Sequence, residues 1–382
     1  MKYTYKFRLY PTQEQEVKLG ETLELCRRTY NRFLSQINET DEIPKRTNLQ
    51  FQLPEMKKRD SDLKQVYSKV LQMVLYQLYS NLRSLSKLKK NGRKIGRLRY
   101  KDKGWFKTFT YNQSGFKIIK TNNRLDKLHL SKIGDIPIRV HREIEGKIKQ
   151  ITIKRTNSGK WFACICVEKR PQQEKSIKSA IGIDVGITYF ATDSDGRQIE
   201  NPHNLEKSLG RLRKEQQKLS RKRKGSENYE KQRKKVAKLH EKIKNQRDDF
   251  LHKLSRHYVD NYDLIAVEDL NVKEMIGNNH LSRYISDASW SKFVRYLSYK
   301  AESAGKVVVK VDPKGTSQEH KHGELDRDYN ASLNILERGM KEIGMGRAES
   351  TLVETEPLLH LSSQDVITGQ VQSSKQEAHA KA

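Results

Sequence analysis

The stretch LIAVEDLNVKEM, residues 264–275, opens as a buried β-strand and then changes character. Its first four residues are apolar without a polar break, which is typical of a buried strand. Glu268 and Asp269 follow at the point where the apolar run stops. A carboxylate at the end of a buried strand is costly unless it is paired, hydrogen-bonded or bound to a cation. The stretch therefore predicts a buried strand whose acidic end needs a positive partner.

The composition indicates that the partner of the whole chain is a polyanion. The chain has 382 residues, with 76 Lys and Arg against 47 Asp and Glu, and its formal net charge is +29. Nucleic acid is the first candidate, because neutralised phosphates release counterions, and an anionic membrane is the rival. The sequence shows no long apolar span and no lipidation signal, so we expect no membrane partner. The length predicts two or three domains.

Two further features indicate a reducing, cytoplasmic setting. The first twelve residues, MKYTYKFRLYPT, lack the apolar core of a signal peptide. The three cysteines, Cys26, Cys164 and Cys166, are too few for a disulfide framework. We therefore expect a cytoplasmic protein.

Alternating and helical patterns divide the chain. Residues 1–10 alternate as a strand, residues 12–90 contain two helical regions, and the short alternating runs from Trp105 to 170 predict a small barrel or sandwich. Between Arg83 and Lys103 ten residues are Lys or Arg, and glycines interrupt the run, so we predict a basic loop there. Residues 171–178 are a predicted linker, and the aromatic-free, net acidic tail is predicted to be disordered.

Three carboxylates stand out in the second half of the chain. Asp184 lies in the apolar strand IGIDVG, Glu268 ends the strand LIAVE, and Asp328 lies in the first turn of the helix DRDYNASLNILERGMKE. Burial would raise the pKa of such a strand aspartate unless a cation were bound. Mg²⁺ prefers oxygen ligands, and two such ions can bracket a phosphodiester.

Each acid also has a simpler interpretation. Asp184 could be hydrogen-bonded in a tight turn, and Glu268 could pair with one of the many lysines. Asp328 could simply favour the positive end of its helix. The order strand, strand, helix in a basic chain favours the metal site, but these residues alone leave both interpretations open.

The same segments resemble the TnpB family, the transposon-encoded relatives of type V CRISPR effector nucleases. The resemblance rests on GIDVGITYFAT, IAVEDLNVKEM, VDPKGTSQ and DRDYNASLNIL, and on YKFRLYPTQEQ followed by CRRTYNRFL. It implies a multidomain α/β protein: a wedge β-barrel (1–10 and 105–170), a helical recognition insert (11–104), a RuvC-like nuclease domain of the RNase H fold (179–338) and a disordered tail (339–382).

The resemblance also implies an activity. Family members bind a guide RNA derived from their transposon end and cut double-stranded DNA beside a short flanking motif. Carried over by motif, Asp184, Glu268 and Asp328 form the catalytic trio and hold two Mg²⁺ ions. Asp269 and Asp326 are the neighbours most easily confused with the trio. For a prokaryotic transposon protein we expect a cytoplasmic location with association to the nucleoid in use.

The chain departs from the family at one place. Between GTSQ and DRDYN the family usually carries a zinc ribbon with two CxxC pairs, and here only EHKHGEL remains. His320 and His322 are interpreted as loop residues, so we predict no bound zinc. An RNA-guided DNA-binding protein that cleaves weakly or not at all is therefore the alternative function. An RNA-binding protein that regulates its own transcript is a third hypothesis.

Four residues are candidates for reading the flanking motif. In the family, polar side chains on the second recognition helix and the adjoining loop read that motif, and KVLQMVLYQ and KTFTYNQ lie in corresponding places. A glutamine that contacts adenine with both amide atoms is the expected chemistry. The candidates are Lys69, Gln72, Tyr76 and Thr110.

Overall fold

The computed structural model describes residues 2–40, 42–169, 172, 176–277, 282–318 and 325–344, and the backbone of 359–361. The chain forms two compact units, Met1–Arg170 and Pro171–Ala382. Within the described part of the chain, no helix combines the length and the apolar character that crossing a membrane requires.

The first unit is built on a seven-stranded, nearly closed sheet in which every pairing is antiparallel. Its first strand alternates as the sequence predicts: Tyr5, Phe7 and Leu9 are buried, and the residues between them are not. The order across the sheet is β2-β6-β7-β1-β5-β4-β3. The strands are β1 (Lys2–Leu9), β2 (Thr108–Asn112), β3 (Phe116–Ile119), β4 (Asp126–Leu130), β5 (Gly134–Arg139), β6 (Lys147–Arg155) and β7 (Trp161–Glu168).

In the described residues of the first unit, four α-helices and one 3-10 helix, Ser61–Gln65, accompany this sheet. The first begins with a capping box, because the Thr12 hydroxyl accepts from the Gln15 backbone N–H and the Gln15 side chain accepts from the Thr12 N–H. The helices are α1 (Gln13–Asn38), α2 (Arg46–Phe51), α3 (Leu53–Arg59) and α4 (Ser68–Lys90).

The predicted basic loop from Arg83 is wrong over its first residues. Helix α4 continues to Lys90, and the chain leaves it through Gly92, whose φ of +73° suits glycine. Long basic side chains are good helix formers, so they extend the helix until the glycine ends it.

The second unit contains a six-stranded mixed sheet in the order β12-β11-β8-β9-β10-β13. Three neighbouring strands, β12, β11 and β8, run parallel, and β9 is antiparallel to both of its neighbours. The strands are β8 (Ala180–Asp184), β9 (Tyr189–Asp193), β10 (Arg197–Glu200), β11 (Leu264–Glu268), β12 (Val307–Val311) and β13 (Leu359–Leu361).

Helices cover both faces of the parallel strands. Ile181, Ile183 and Val267 belong to the apolar cluster with α6 and α9, whereas Leu264 and Ala266 pack with α10. The helices are α5 (Asn204–Ser220), α6 (Glu227–Asn261), α7 (Val272–Met275), α8 (Ser282–Ala288), α9 (Trp290–Ala304) and α10 (Arg327–Glu342).

The prediction of a disordered tail from residue 339 is wrong at two places. Helix α10 continues to Glu342, with Met340 buried against the sheet. The backbone of Leu359–Leu361 forms strand β13, which pairs in parallel with β10. Residues 345–358 and 362–382 lie outside the described residues, so the prediction stays untested there.

Candidate functional site

The register of two parallel strands places Asp184 beside Glu268. Ile183 pairs with Val267, so the next residue of each strand is an acid, and both acids stand at the carboxyl end of the sheet. Side chains alternate between the two faces of a strand. Since Ile183 and Val267 lie on the α9 face, Asp184 and Glu268 lie on the face that α10 covers.

The cap of α10 places the third acid. Asp326 caps the helix, because its Oδ1 accepts from the backbone N–H groups of Asp328 at 3.1 Å and of Tyr329 at 3.2 Å. Asp326 is therefore committed to the helix end, and Asp328 extends from the first turn.

Gly182 lets α10 approach the sheet closely. A Cβ at this position would stand 2.1 Å from the backbone oxygen of Ser332 and 2.7 Å from the backbone nitrogen of Leu336. Only a glycine in β8 leaves room for the helix backbone at this distance. The glycine thus fixes the depth at which α10 carries Asp328.

Glu268 and Asp328 both lie near enough to Asp184 to repel its charge. Burial, together with the charges of Glu268 and Asp328, raises the pKa of Asp184 to about 7. Burial also raises the pKa of Glu268, against the hydrogen bond from Thr316. A carboxyl group whose pKa lies near neutrality at the edge of a sheet is the kind of group that clusters at functional sites.

Two arginines on α10 bring positive charge to the acids. The Arg327 guanidinium lies 3.3 Å from Asp328 Oδ1 and partly opposes the rise in the pKa of Asp184. Arg338 opposes the rise in the pKa of Glu268, and its Nη1 donates to the backbone oxygens of Asp312 and Lys314, each at 2.8 Å. The charges of these two arginines therefore already favour the ionised form of the acids.

Thr316 orients Glu268, and sequence reasoning missed this residue. Its hydroxyl lies within hydrogen-bonding distance of Glu268 Oε1, at 2.5 Å, and of the Pro313 backbone oxygen, at 3.0 Å. Asn334 on α10 donates to the Thr316 backbone oxygen at 2.9 Å, which anchors the turn. The segment GTSQ that follows β12 was the available signal for this role.

The donor chemistry of the three acids fits a divalent cation, but their arrangement is not that of a finished metal site. Carboxylate oxygens are the ligands that Mg²⁺ prefers. Across the residues that the structure describes, no group of three or more His, Cys, Asp or Glu side chains is arranged to hold a metal ion. Glu268 is engaged by Thr316 and Asp328 by Arg327, so these contacts would have to yield to a cation.

The four candidates for motif reading fall into two groups. Lys69, Gln72 and Tyr76 lie three and four residues apart on one side of α4, and the Arg46 guanidinium covers the Tyr76 ring at 3.9 Å. The Thr110 hydroxyl shares a 2.9 Å hydrogen bond with the Thr152 hydroxyl, on the face of β2 opposite the buried Phe109 and Tyr111. Their role stays a prediction. His320 and His322 lie outside the described residues.

Three family models match separate segments of the chain. Residues 164–279 match a family described as "Probable transposase", and residues 1–41 match a "Helix-turn-helix domain". Residues 290–323 match a segment described as "Cas12f1-like, TNB domain". The first of these matches contains Asp184 and Glu268.

Relatives match the chain over most of its length. A Streptomyces pristinaespiralis protein named "Putative RNA-guided DNA endonuclease" is 32% identical over 378 residues, which covers 91% of both chains. An Escherichia coli (strain K12) protein named "Putative RNA-guided DNA endonuclease InsQ" is 31% identical over 338 residues, which cover 82% of this chain and 81% of that protein. The Cas12f1 chain in the structure of the Cas12f1–sgRNA–target DNA complex shares the fold, with a TM-score of 0.55 and 17% identity over 85% of this chain and 83% of that one. The chain therefore belongs to the TnpB family.

Proposed function

We propose that this protein is an RNA-guided, Mg²⁺-dependent DNA endonuclease of a transposon. The observation that carries the proposal is the convergence of Asp184, Glu268 and Asp328, with the pKa of Asp184 raised to about 7 by burial and by the other two acids. The names of the full-length relatives support RNA guidance and DNA cleavage. The basic composition supports a nucleic-acid partner.

The sheet of the second unit supports assignment to the RNase H fold and to RuvC-like nucleases. Its first three strands form an antiparallel meander, β8-β9-β10, and two parallel strands, β11 and β12, extend it beyond β8. Ligands of open α/β sheets bind outside the carboxyl ends of parallel strands, where Asp184 and Glu268 stand. The three acids therefore lie where open α/β sheets usually bind their ligands.

Within this proposal each residue has a defined task. Asp184, Glu268 and Asp328 would hold Mg²⁺, and the bound ions would supply charge stabilisation to the attacking and leaving oxygens of a phosphodiester. Thr316 holds the Glu268 carboxylate in place, and Asp326 holds the helix that carries Asp328. The exposed Arg327 guanidinium, 3.3 Å from Asp328 Oδ1, would give way to a bound cation.

The partners would divide recognition between them. Guide RNA from the transposon end would read the target by base pairing, while the protein would read a short flanking motif on double-stranded DNA. Lys69, Gln72, Tyr76 and Thr110 are proposed as the motif readers. Thr110 has the weakest support because its hydroxyl is shared with Thr152.

An RNA-guided DNA-binding protein with weak or no cleavage is the second candidate. The observation that favours it is the engagement of Glu268 and Asp328 by Thr316 and Arg327 instead of a three-ligand group. The shortened segment where the family usually carries a zinc ribbon favours it as well. We propose accordingly that the protein binds no zinc.

One experiment separates the two candidates. The protein is purified with the RNA that accompanies it, the RNA is sequenced, and DNA targets matching its guide segment are incubated with the complex and Mg²⁺. Cleavage beside a fixed motif supports the endonuclease. Specific binding without strand breaks, at all Mg²⁺ concentrations tested, would establish the second candidate. Absence of any specific RNA would overturn both.

A further inference from the structure

A cavity of about 290 Å³ opens at the carboxyl end of β11, beside Glu268. One wall is apolar and contains Val267 and Leu270 from the β11 end and Trp290 and Val294 from α9. Of the three candidate catalytic acids, Glu268 lines the cavity, at the end of β11, while the apolar wall lies on the α9 face of the sheet. Ligand sites in proteins have volumes of about 300–1,000 Å³, so this cavity suits one small group and not an extended strand.

Two cations stand on the rim of the cavity. Arg295 is exposed on α9, and Lys310 is half-exposed on β12. Lys310 pairs with Asp269 at 3.0 Å, but both side chains are at least half-exposed. Exposed ion pairs contribute little, so a phosphate can compete for this lysine.

An apolar wall beside a rim with two cations matches the chemistry of a single nucleotide. A nucleobase presents apolar faces to a wall of valine, leucine and tryptophan, and its phosphate presents negative charge to a rim of arginine and lysine. An acidic peptide would meet the cations, but it would leave the apolar wall unused. A purely apolar ligand would leave the cations unused.

We propose that this cavity receives the nucleoside adjoining the phosphodiester that is cleaved, with Arg295 and Lys310 on the neighbouring phosphate. The inference rests on the proposed nuclease function, and it adds a determinant of where the strand is cut. Base pairing with the guide would select the target, whereas this cavity would select the bond within the loaded strand.

Two variants test the cavity. Ser298 lines it from α9, so Ser298→Trp fills the space, and Arg295→Ala removes a rim cation. We expect Ser298→Trp to lower guided cleavage by about tenfold and to change the nucleotide preference beside the cut, since stacking of one base is worth about that factor. Arg295→Ala should raise KM more than it lowers kcat. Arg256→Ala, an exposed arginine on α6 with an ion pair to Asp260, is the matched control and should behave as wild type.

A binding measurement does not depend on cleavage. A Glu268→Gln variant is loaded with guide RNA and with targets that carry a photoreactive thymine analogue at successive positions around the cut. Crosslinks from one position to the peptide containing residues 290–298 are expected, and Ser298→Trp introduced into this variant should abolish them. Melting temperatures of all variants show that they are folded.

The outcomes separate this inference from the proposed function. If wild type cleaves while Ser298→Trp and Arg295→Ala keep its rate, KM and cut position, the cavity inference is overturned and the nuclease function stands. If wild type never cleaves but crosslinks form at 290–298, the nuclease function fails and the cavity still binds a nucleotide. Crosslinks spread evenly along the strand with none at 290–298 would overturn the inference directly.

Discussion

The two units differ in the buried groups that titrate near pH 7, although both also bury tyrosines whose pKa burial raises. In the first unit burial raises the pKa of Cys26 to about 12 and raises the pKa of Tyr111, so both groups stay neutral at pH 7. In the second unit burial shifts the pKa values of two acids and one lysine toward 7. The pKa of Asp184 is raised to about 7, that of Asp193 is raised to about 6, and that of Lys300 is lowered to about 7.

This difference separates a scaffold from a reactive centre. A buried group that stays neutral adds little electrostatic cost, whereas groups that titrate near pH 7 cost stability and are retained where chemistry needs them. Asp193 has a structural explanation, because Tyr258 donates to it and Arg197 lies 3.8 Å away. Asp184 has no comparable buried cationic partner among the described residues, so its charge is the one a metal ion would stabilise.

The largest expected effect comes from removing the charge of one of the three acids. Glu268→Gln keeps the shape and the contact with Thr316 but removes the charge, so guided cleavage should fall by about 10³-fold or more, while guide RNA binding is unchanged. Strand-break assays and RNA binding measure the two quantities. Asp260→Asn, an exposed acid at the end of α6, is the control and should cut at the wild-type rate. A Glu268→Gln variant that retains full cleavage would remove Glu268 from the site.

Gly182 gives the next largest effect. Gly182→Ala places a Cβ against the backbone of α10, so we expect a loss of about 1–3 kcal/mol in the free energy of unfolding and a large loss of cleavage. Denaturant unfolding measures the first and strand breaks the second. The same substitution at Gly210 in α5, where nothing lies within 4 Å, should instead stabilise the protein slightly. Equal stability changes of the two variants would contradict the close approach.

Thr316 should have a smaller effect on rate. Thr316→Val removes the hydroxyl at nearly constant volume and frees the Glu268 carboxylate, so cleavage should fall by about tenfold. Thr316→Ser keeps the hydroxyl and should restore most of the activity. A serine variant as slow as the valine variant would show that the methyl group, and not the hydrogen bond, matters.

The smallest effect concerns stability alone. Lys300 is buried and donates to the His252 backbone oxygen and to Ser255 Oγ, and burial lowers its pKa to about 7. In the unfolded chain the pKa of a lysine is about 10.4. Between pH 7 and 10 the unfolded state therefore binds more protons than the folded state, and the free energy of unfolding rises with pH. The free-energy cost of burying the charged lysine is fully present below pH 7.

Lys300→Met should therefore stabilise the protein at pH 6 and give a smaller gain at pH 9. Urea unfolding at the two pH values measures this difference. Lys238→Met, at an exposed position of α6, serves as the control. A gain for Lys300→Met that does not change with pH would show that the buried charge is not its origin.

Sequence patterns predicted the elements but not the contacts between them. The apolar runs that end at Asp184 and Glu268 give the strands and their acidic ends, and the predicted helix with Asp328 in its first turn gives the start of α10. The role of Thr316 depends on a hydrogen bond between residues 48 positions apart, which no local pattern encodes.

Local patterns also fail where context decides the structure. The residues of α4 from Arg83 to Lys90 are mostly polar, with Leu85 and Leu88 as the apolar exceptions, and they continue a helix already nucleated by its buried face. The strand at Leu359–Leu361 has three residues and forms through pairing with β10, so no periodicity is long enough to indicate it. The cavity beside β11 is likewise a product of tertiary packing.

The most direct test of the three acids as a metal site is a titration of the wild type and of Asp184→Asn with Mn²⁺, in which electron paramagnetic resonance detects the free and bound ion. If the three carboxylates form the metal site, the wild type binds Mn²⁺, Mg²⁺ displaces it, and the asparagine variant binds at least about tenfold more weakly. Equal Mn²⁺ binding by the two proteins would contradict the assignment of the buried acid to a metal.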